Sequence, residues 1–146
     1  MTNGPILLVE DNADDEALIL RTLRQSNVAN NVTVARDGPE ALDYLFGTGT
    51  REAAGPLRPA VMLLDIKLPK IDGLEVLRRL RAEDSTRRLP VVMLTSSDEE
   101  QDMIRSYDLG ANSYVRKPVD FGAFSEAVSQ LGLYWLVLNE PPPNAG

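Results

Sequence analysis

The fold is decided by residues 61–73, which have the sequence VMLLDIKLPKIDG. Four apolar residues run directly into one carboxylate, Asp65. A short apolar run of this kind is typical of a strand that is buried on both faces, as in a parallel sheet. Pro69 and Gly73 mark a loop before the next helix. Because ligands of open parallel sheets bind at the carboxyl ends of the strands, Asp65 is a candidate site residue, although strand termination or helix capping would also explain an isolated aspartate.

Strands and helices alternate along the rest of the chain. Short apolar runs predict strands at 6–9, 32–35, about 60–64, 90–94 and 113–116. Amphipathic stretches predict helices at about 13–25, from 37–39 onward, and at 74–81, 98–109 and about 120–139. Residues 47–59, with three glycines and two prolines, predict a loop or a frayed helix end. Five strands alternating with five helices predict one doubly wound α/β domain with a parallel sheet, its core in residues 5–139 and a short proline-rich tail at 140–146.

The composition narrows the possible functions. The 146 residues carry a net charge of −7, which argues against general binding to nucleic acid or to anionic membranes. The chain has no cysteine and no histidine, so Ser-His and Cys-His catalysis and histidine metal sites are excluded. No signal peptide is visible, and the longest apolar run, Leu131–Leu138, is too short to span a bilayer. We therefore expect a cytoplasmic protein.

Polar side chains follow four of the five predicted strands. Strand one is followed by Glu10 and Asp11, strand three by Asp65, strand four by Thr95 with Ser96, and strand five by Lys117. The carboxyl ends of parallel strands meet at one edge of the sheet, so these groups are expected around a single cleft. Each has an ordinary alternative: acids of a first helical turn, helix caps, or a solvated surface lysine. Their joint placement favours a site.

Three neighbouring carboxylates can all stay ionised only beside a cation, and oxygen ligands favour Mg²⁺ or Ca²⁺. With Thr95 as a donor and Lys117 as a positive charge, such a site would form an electrostatic cradle for a phosphoryl group, with Asp65 as the attacking carboxylate.

These motifs resemble the receiver domain of two-component response regulators. The matching residues are Glu10-Asp11, Leu64-Asp65 with Pro69 and Asp72-Gly73, Thr95-Ser96, Gly110-Ala111, Tyr114 and Lys117-Pro118. The resemblance covers about residues 5–139 and implies a flavodoxin-like sheet of order 2-1-3-4-5. It implies that Asp65 accepts a phosphoryl group from a histidine kinase, while Thr95 and Lys117 bind the phosphoryl oxygens. It also implies a Mg²⁺ site formed by Asp11, Asp65 and the backbone carbonyl of Lys67, with Glu10 acting through water.

The chain departs from minimal receivers in the longer segment at 47–59. That segment and Tyr134-Trp135 are similar to the single-domain regulators that serve bacterial phytochromes, so a phytochrome-type kinase is an expected partner. Lys67 and Ser97 occupy positions that vary among receivers and tune dephosphorylation. No output domain follows in the sequence, so we expect signalling through a partner contact, dimerisation or a phosphorelay, without enzymatic turnover.

Three alternatives stay open at this point. A haloacid-dehalogenase-type phosphatase also uses an aspartate nucleophile, but it usually needs a second aspartate two residues later, where this chain has Lys67. A scaffolding pseudo-receiver would not need the intact set of site residues. A flavin or nucleotide binder would need a phosphate-binding loop after strand one, and that stretch, 10–15, is anionic.

The resemblance also implies a switch in which Thr95 turns toward the phosphoryl group and Tyr114 moves inward. The last predicted helix carries one apolar stripe and further apolar residues off it, so its last two turns are apolar nearly all round. This predicts a homodimer through the fourth helix, fifth strand and fifth helix, with interface residues Tyr114, Leu131, Tyr134, Trp135 and Leu138. The alternative is that these residues fold back on the segment 47–59 of the same chain.

Overall fold

The computed structural model of the chain describes residues 4–25, 30–95, 108–111 and 113–117, together with Asp120, Gly122 and Glu126. Its strands are β1 Ile6–Val9, β2 Val32–Ala35, β3 Val61–Asp65, β4 Val91–Thr95 and β5 Ser113–Arg116, and its helices are α1 Ala13–Gln25, α2 Gly38–Phe46 and α3 Gly73–Ala82. The strands form one parallel sheet in the order β2-β1-β3-β4-β5. The predicted flavodoxin-like α/β fold is confirmed. The helices predicted at 98–109 and 120–139 lie almost entirely outside the described residues.

β3 and β4 each begin and end one residue later than the apolar runs predict. The cause is hydrogen bonding between the strands. Asp65 pairs with Leu94, and the Ile66 amide donates to the Leu94 carbonyl at 3.1 Å, an ordinary hydrogen-bond length. Thr95 likewise pairs with Arg116. Two of the candidate site residues, Asp65 and Thr95, are therefore the last residues of strands and are held by the sheet itself.

Every residue of β1, β3 and β4 is buried, as expected for strands that are covered on both faces. Alternate residues serve two cores: Ile6 and Leu8 pack with Ile19 and Leu23 of α1, and Leu7 packs on the other face. The second core joins that face to α2 and α3 through Ala41, Leu42, Leu45, Leu74, Val76, Leu77 and Leu80. Within the described ranges, no helix has the length and apolar character needed to cross a bilayer.

α2 has a well-defined start and a compact end. Asp37 is its N-cap, and the Asp37 Oδ1 atom accepts a hydrogen bond from the Glu40 amide at 2.7 Å. The helix stops at Gly47, which has a left-handed backbone with φ 65°. The segment 47–59 then packs back on the helix, because the Leu57 amide donates to the Tyr44 carbonyl at 2.7 Å. It is therefore an ordered loop with one 3₁₀ turn, Gly49–Arg51, rather than a frayed helix end.

The loop that joins β3 to α3 is closed tightly over the end of β3. The Gly73 amide donates to the Ile66 carbonyl at 2.8 Å, and a Cβ at Gly73 would lie 2.1 Å from the Asp65 carbonyl oxygen. The start of α2 supports the same loop, since the Lys70 ammonium lies 3.1 Å from Asp37 Oδ2. Lys70 itself has φ 69°, an uncommon conformation for a residue with a side chain. These contacts therefore restrict the conformation of the loop that follows β3.

Arg81 joins three parts of the chain near the opposite end of α3. The Arg81 Nη1 atom donates to the carbonyls of Thr86 at 3.3 Å, Arg87 at 3.1 Å and Leu89 at 2.8 Å. The Arg81 Nε atom donates to the Gly110 carbonyl at 2.9 Å. A planar guanidinium can hold several carbonyls in a fixed arrangement, so Arg81 ties the turn before β4 and the turn before β5 to α3.

We predict that Gly73→Ala lowers the free energy of unfolding by about 1–3 kcal/mol, because the new methyl group would overlap the backbone of β3. Gly122→Ala is the matched control, since among the described residues the nearest atom to its Cβ is Asp120 Oδ1 at 3.5 Å, and alanine favours a helix. Urea denaturation of both variants measures the difference. Equal stability of the two variants would show that the loop can move aside at no cost.

Candidate functional site

The carboxyl ends of β1, β3, β4 and β5 bring the predicted polar groups to one edge of the sheet. Glu10 is 0% exposed, Asp65 5% and Thr95 2%, so this is a cleft whose floor is closed to water. β5 places Lys117 by backbone hydrogen bonding, since the Lys117 amide donates to the Thr95 carbonyl at 2.8 Å. Parallel strand pairing therefore accounts for the meeting of residues that are up to 107 positions apart in the sequence.

The Lys117 ammonium lies at the centre of the cleft. Its Nζ atom is 2.5 Å from Glu10 Oε1, 3.1 Å from Asp65 Oδ2 and 3.1 Å from Asp15 Oδ2. The Lys117 side chain is only 9% exposed. A buried ammonium that meets several carboxylates is stabilised by their charges, and it neutralises them in turn.

Burial dominates the ionisation of the two acids on the floor of the cleft. Burial raises the pKa of Glu10 to about 7. The contact with Lys117 acts to lower this pKa, and the negative charge of Asp65 acts to raise it. Burial also raises the pKa of Asp65, although the Lys117 ammonium acts in the other direction. For Lys117, burial by itself lowers the pKa, but the contact with Glu10 and the charge of Asp65 outweigh burial and raise it. The lysine is therefore positively charged. A further positive charge nearby would stabilise the ionised form of both acids.

The carboxylates fit a hard divalent cation. Glu10, Asp11 and Asp65 each offer one oxygen atom, and these atoms lie within 4.8 Å of one another. The buried Glu10 Oε1 atom has the Lys117 charge beside it but no partner with hydrogen-bond geometry among the described residues. Asp11, in contrast, is exposed at the mouth of the cleft. Three carboxylates at this spacing, one of them open to water, suit Mg²⁺, which binds through few carboxylates and keeps several waters.

The remaining predicted residues differ in how far the structure describes them. The Lys67 side chain is exposed, and its amide donates to Asp65 Oδ1 at 3.4 Å, so the backbone at Lys67 lies beside the carboxylate. The proposed role of the Lys67 carbonyl as a metal ligand stays a prediction. Tyr114 is 39% exposed on β5. The other predicted interface residues, Leu131, Tyr134, Trp135 and Leu138, lie outside the described residues, as do Ser96 and Ser97.

Asp15 is the contact of Lys117 that sequence reasoning missed. It lies on the first turn of α1, where the side chain of Asn12 accepts a hydrogen bond from the Asp15 amide at 2.9 Å. Asn12 therefore caps the helix and orients the first turn over the cleft. The spacing of an N-cap residue and an acid three positions later, ahead of an apolar helix, was the available signal. The sequence alone could not show that this acid faces Lys117.

Comparison with known proteins identifies the family. The response regulator receiver domain matches residues 6–129. The structure is similar to that of the bacteriophytochrome response regulator AtBRR, with 56% identity, a TM-score of 0.84, and coverage of 94% of this chain and 98% of that chain. The probable methanogenesis regulatory protein FilR2 of Methanothrix harundinacea is 39% identical over 137 residues, which are 94% of this chain and 86% of FilR2.

Rcp1, a response regulator of Synechocystis, is 37% identical over 131 residues, which are 90% of this chain and 88% of Rcp1. The structure of its Mn²⁺-bound form is also similar, with a TM-score of 0.76 at 36% identity and coverage of 95% of this chain and 99% of that chain. These comparisons give no support to the phosphatase alternative. With a family match over most of its length and full-length relatives that are response regulators, this chain belongs to the receiver domain family of two-component signalling.

Proposed function

We propose that Asp65 accepts a phosphoryl group from a histidine kinase in a Mg²⁺-dependent reaction. The observation that carries the proposal is the Lys117 ammonium, which lies 3.1 Å from Asp65 Oδ2 in a cleft that also contains Glu10 and Thr95. Asp65 is the acid that combines contact with the lysine, oxygens of Glu10 and Asp11 within 4.8 Å, and a place at the end of β3 beside β4, the strand that ends at Thr95. Membership of the receiver family supports the same assignment.

In the proposed transfer, an oxygen of the Asp65 carboxylate forms a bond to phosphorus while the phosphorus–nitrogen bond of a phosphohistidine breaks. The electron pair of that bond stays with the imidazole nitrogen of the donor. Lys117 and Thr95 bind the phosphoryl oxygens and offset their charge. Asp11, Asp65 and the Lys67 carbonyl, with Glu10 acting through water, would hold a Mg²⁺ ion, which would supply further neutralisation of the phosphoryl charge. The chain has no histidine, so the phosphohistidine donor lies outside these 146 residues.

The similar solved structures suggest the class of kinase. AtBRR is named as a bacteriophytochrome response regulator, and it aligns with this chain nearly end to end. We therefore propose a phytochrome-type sensor kinase as the donor and the cytoplasm as the compartment in which the two proteins meet. The phosphorylated protein then signals through a partner or passes the phosphoryl group on, without turnover of a separate substrate.

A switch at the edge of β4 and β5 would carry the signal outward. A dianion on Asp65 attracts the Thr95 hydroxyl, which then moves toward the phosphoryl group. We propose that Tyr114, which is 39% exposed here, moves inward into the space that Thr95 leaves. Tyr114 of β5 pairs with Met93 of β4, two residues before Thr95. Tyr114 and Thr95 therefore lie on adjoining strands.

We further propose a homodimer through the β5 side of the sheet. Tyr114 and Arg116 are exposed on β5 and belong to that side. The apolar residues Leu131, Tyr134, Trp135 and Leu138 would complete the interface. Their support is the sequence pattern, because a helix that is apolar nearly all round leaves a hydrophobic surface that usually marks an interface.

We predict that Asp65→Asn abolishes labelling by a phosphorylated kinase or by acetyl phosphate, and that removal of Mg²⁺ abolishes labelling of the wild type. Asparagine keeps the size of the side chain but offers no attacking carboxylate. Asp72→Asn is the matched control, because Asp72 caps α3 through a 2.8 Å hydrogen bond from the Glu75 amide and asparagine can also cap a helix. Phosphate incorporation measured in all three proteins tests the assignment, and full labelling of Asp65→Asn, for example on Asp11, would contradict it.

We predict that beryllofluoride, a mimic of the phosphoryl group, shifts the NMR signals of Tyr114 in the presence of Mg²⁺. The Asp65→Asn variant should show no such shift, because it cannot hold the mimic. Spectra of a sample labelled at tyrosine make the comparison. Unchanged Tyr114 signals at saturating beryllofluoride in the wild type would reject the switch while leaving the phosphoacceptor assignment intact.

We predict that the full chain sediments as a dimer at micromolar concentration, and that replacing Tyr134, Trp135 and Leu138 together by polar residues gives a monomer. The reason is the loss of the apolar area that would be buried between the two copies. Sedimentation velocity measures both species. A wild-type monomer would favour the alternative in which these residues cover the segment 47–59 of their own chain, and a triple variant that stays dimeric would move the interface elsewhere.

A further inference from the structure

Asp15 differs from the other two carboxylates that meet Lys117. Its Oδ2 atom is 3.1 Å from the Lys117 Nζ atom, which is the same distance as that of Asp65 Oδ2. The Asp15 side chain, however, is 40% exposed, whereas that of Glu10 is 0% exposed and that of Asp65 is 7% exposed. Asp15 can therefore exchange Lys117 for water, and the other two acids cannot do so without opening the core.

The backbone of Asp15 is held in place even though its carboxylate is open to solvent. The Asp15 amide donates to Asn12 Oδ1 at 2.9 Å, and the Glu16 amide donates to the Asn12 carbonyl at 2.9 Å. These bonds fix the first turn of α1 beside the cleft. Release of Lys117 by Asp15 thus needs only a rotation of the Asp15 side chain, with no change in the helix.

The proposed reaction places a demand on Lys117 that the resting structure does not meet. The Lys117 ammonium already donates to Asp15 and Asp65 at 3.1 Å, and Glu10 Oε1 lies 2.5 Å away without hydrogen-bond geometry. Three carboxylate oxygens crowd the ammonium, so a phosphoryl oxygen becomes a close partner when one carboxylate gives up its place. Asp65 would carry the incoming group and Glu10 is fully buried, so Asp15 is the acid that can leave.

We propose that Asp15 is the resting counter-ion of Lys117, that the arriving phosphoryl group displaces it, and that Asp15 thereby limits the rate of phosphorylation. This inference rests on the proposed function. Asp15 acts on the reaction through Lys117 and is thus a positioning residue. Its carboxylate also repels an anionic donor at the mouth of the cleft, so both effects slow phosphorylation in the same direction.

The test compares Asp15→Asn with Asp14→Asn. Asp14 is an exposed acid in the same turn of α1, and no contact of its side chain with Lys117 is present in the described part of the chain. The two variants have the same net charge and the same change in the first helical turn. They differ in whether the lost charge touched Lys117.

With acetyl phosphate and Mg²⁺ at low ionic strength, Asp15→Asn should be phosphorylated about two- to fivefold faster than the wild type, the range expected for loss of one partly exposed ion pair. Asp14→Asn should stay near the wild-type rate. The difference should shrink at about 1 M NaCl, where the Debye length is about 3 Å. A merely structural role of Asp15 would not produce this dependence on salt.

NMR of the Lys117 ammonium in Mg²⁺-free protein gives a second readout that does not depend on phosphorylation. The signal should shift in Asp15→Asn and keep its position in Asp14→Asn. In the wild type, beryllofluoride with Mg²⁺ should move the carboxyl ¹³C signal of Asp15, as expected if that carboxylate is released into water.

Wild-type labelling on Asp65 with equal rates for the two variants would overturn the role of Asp15 and leave the proposed function standing. A slower rate for Asp15→Asn in a folded protein would overturn it as well. A wild type that takes no label would reject the proposed function, and the inference about Asp15 with it. Labelling of Asp65 in the wild type therefore distinguishes failure of the Asp15 inference from failure of the proposed function.

Discussion

The ion pairing of one lysine with the acids around it is the constraint on which the site depends. Lys117 is 9% exposed and its ammonium lies within 3.1 Å of oxygens from Glu10, Asp65 and Asp15. Without that charge, the buried carboxylates of Glu10 and Asp65 would have no cation beside them, and an uncompensated buried charge costs several kcal/mol. Glu10 and Asp65 can be buried at this edge of the sheet because Lys117, at the end of β5, places a positive charge beside them.

The same arrangement explains why the site can be stable and reactive at once. The acids outnumber the ammonium, and burial raises the pKa of both Glu10 and Asp65, so the cleft attracts positive charge. A divalent cation would satisfy that need and would prepare the site for an anion, because the added charge could then be shared with the oxygens of a phosphoryl group. The backbone around Asp65 is closely packed as well, because a Cβ at Gly73 would lie 2.1 Å from the Asp65 carbonyl oxygen. This close packing holds Asp65 in place at the end of β3.

Most of the fold and the centre of the site were predictable from the sequence, because a polar residue placed directly after an apolar strand must reach the edge where parallel strands end. Asp65, Glu10 and Lys117 were found by this reasoning. The contact between Asp15 and Lys117 was not, since the way α1 packs on the sheet decides whether a residue of its first turn reaches the cleft, and no local pattern encodes that packing. The strand ends were also shifted by one residue, because hydrogen bonds to the neighbouring strand decide where a strand stops.

The Arg81 guanidinium has a mechanical consequence for the end of α3. One side chain holds both the Gly110 carbonyl, through Nε at 2.9 Å, and the Leu89 carbonyl, through Nη1 at 2.8 Å. A displacement of the Gly110 carbonyl must therefore either break the hydrogen bond to Nε or pull on the side chain that also holds the turn before β4. The turns that precede β4 and β5 are thus coupled through α3 as well as through the pairing of the two strands.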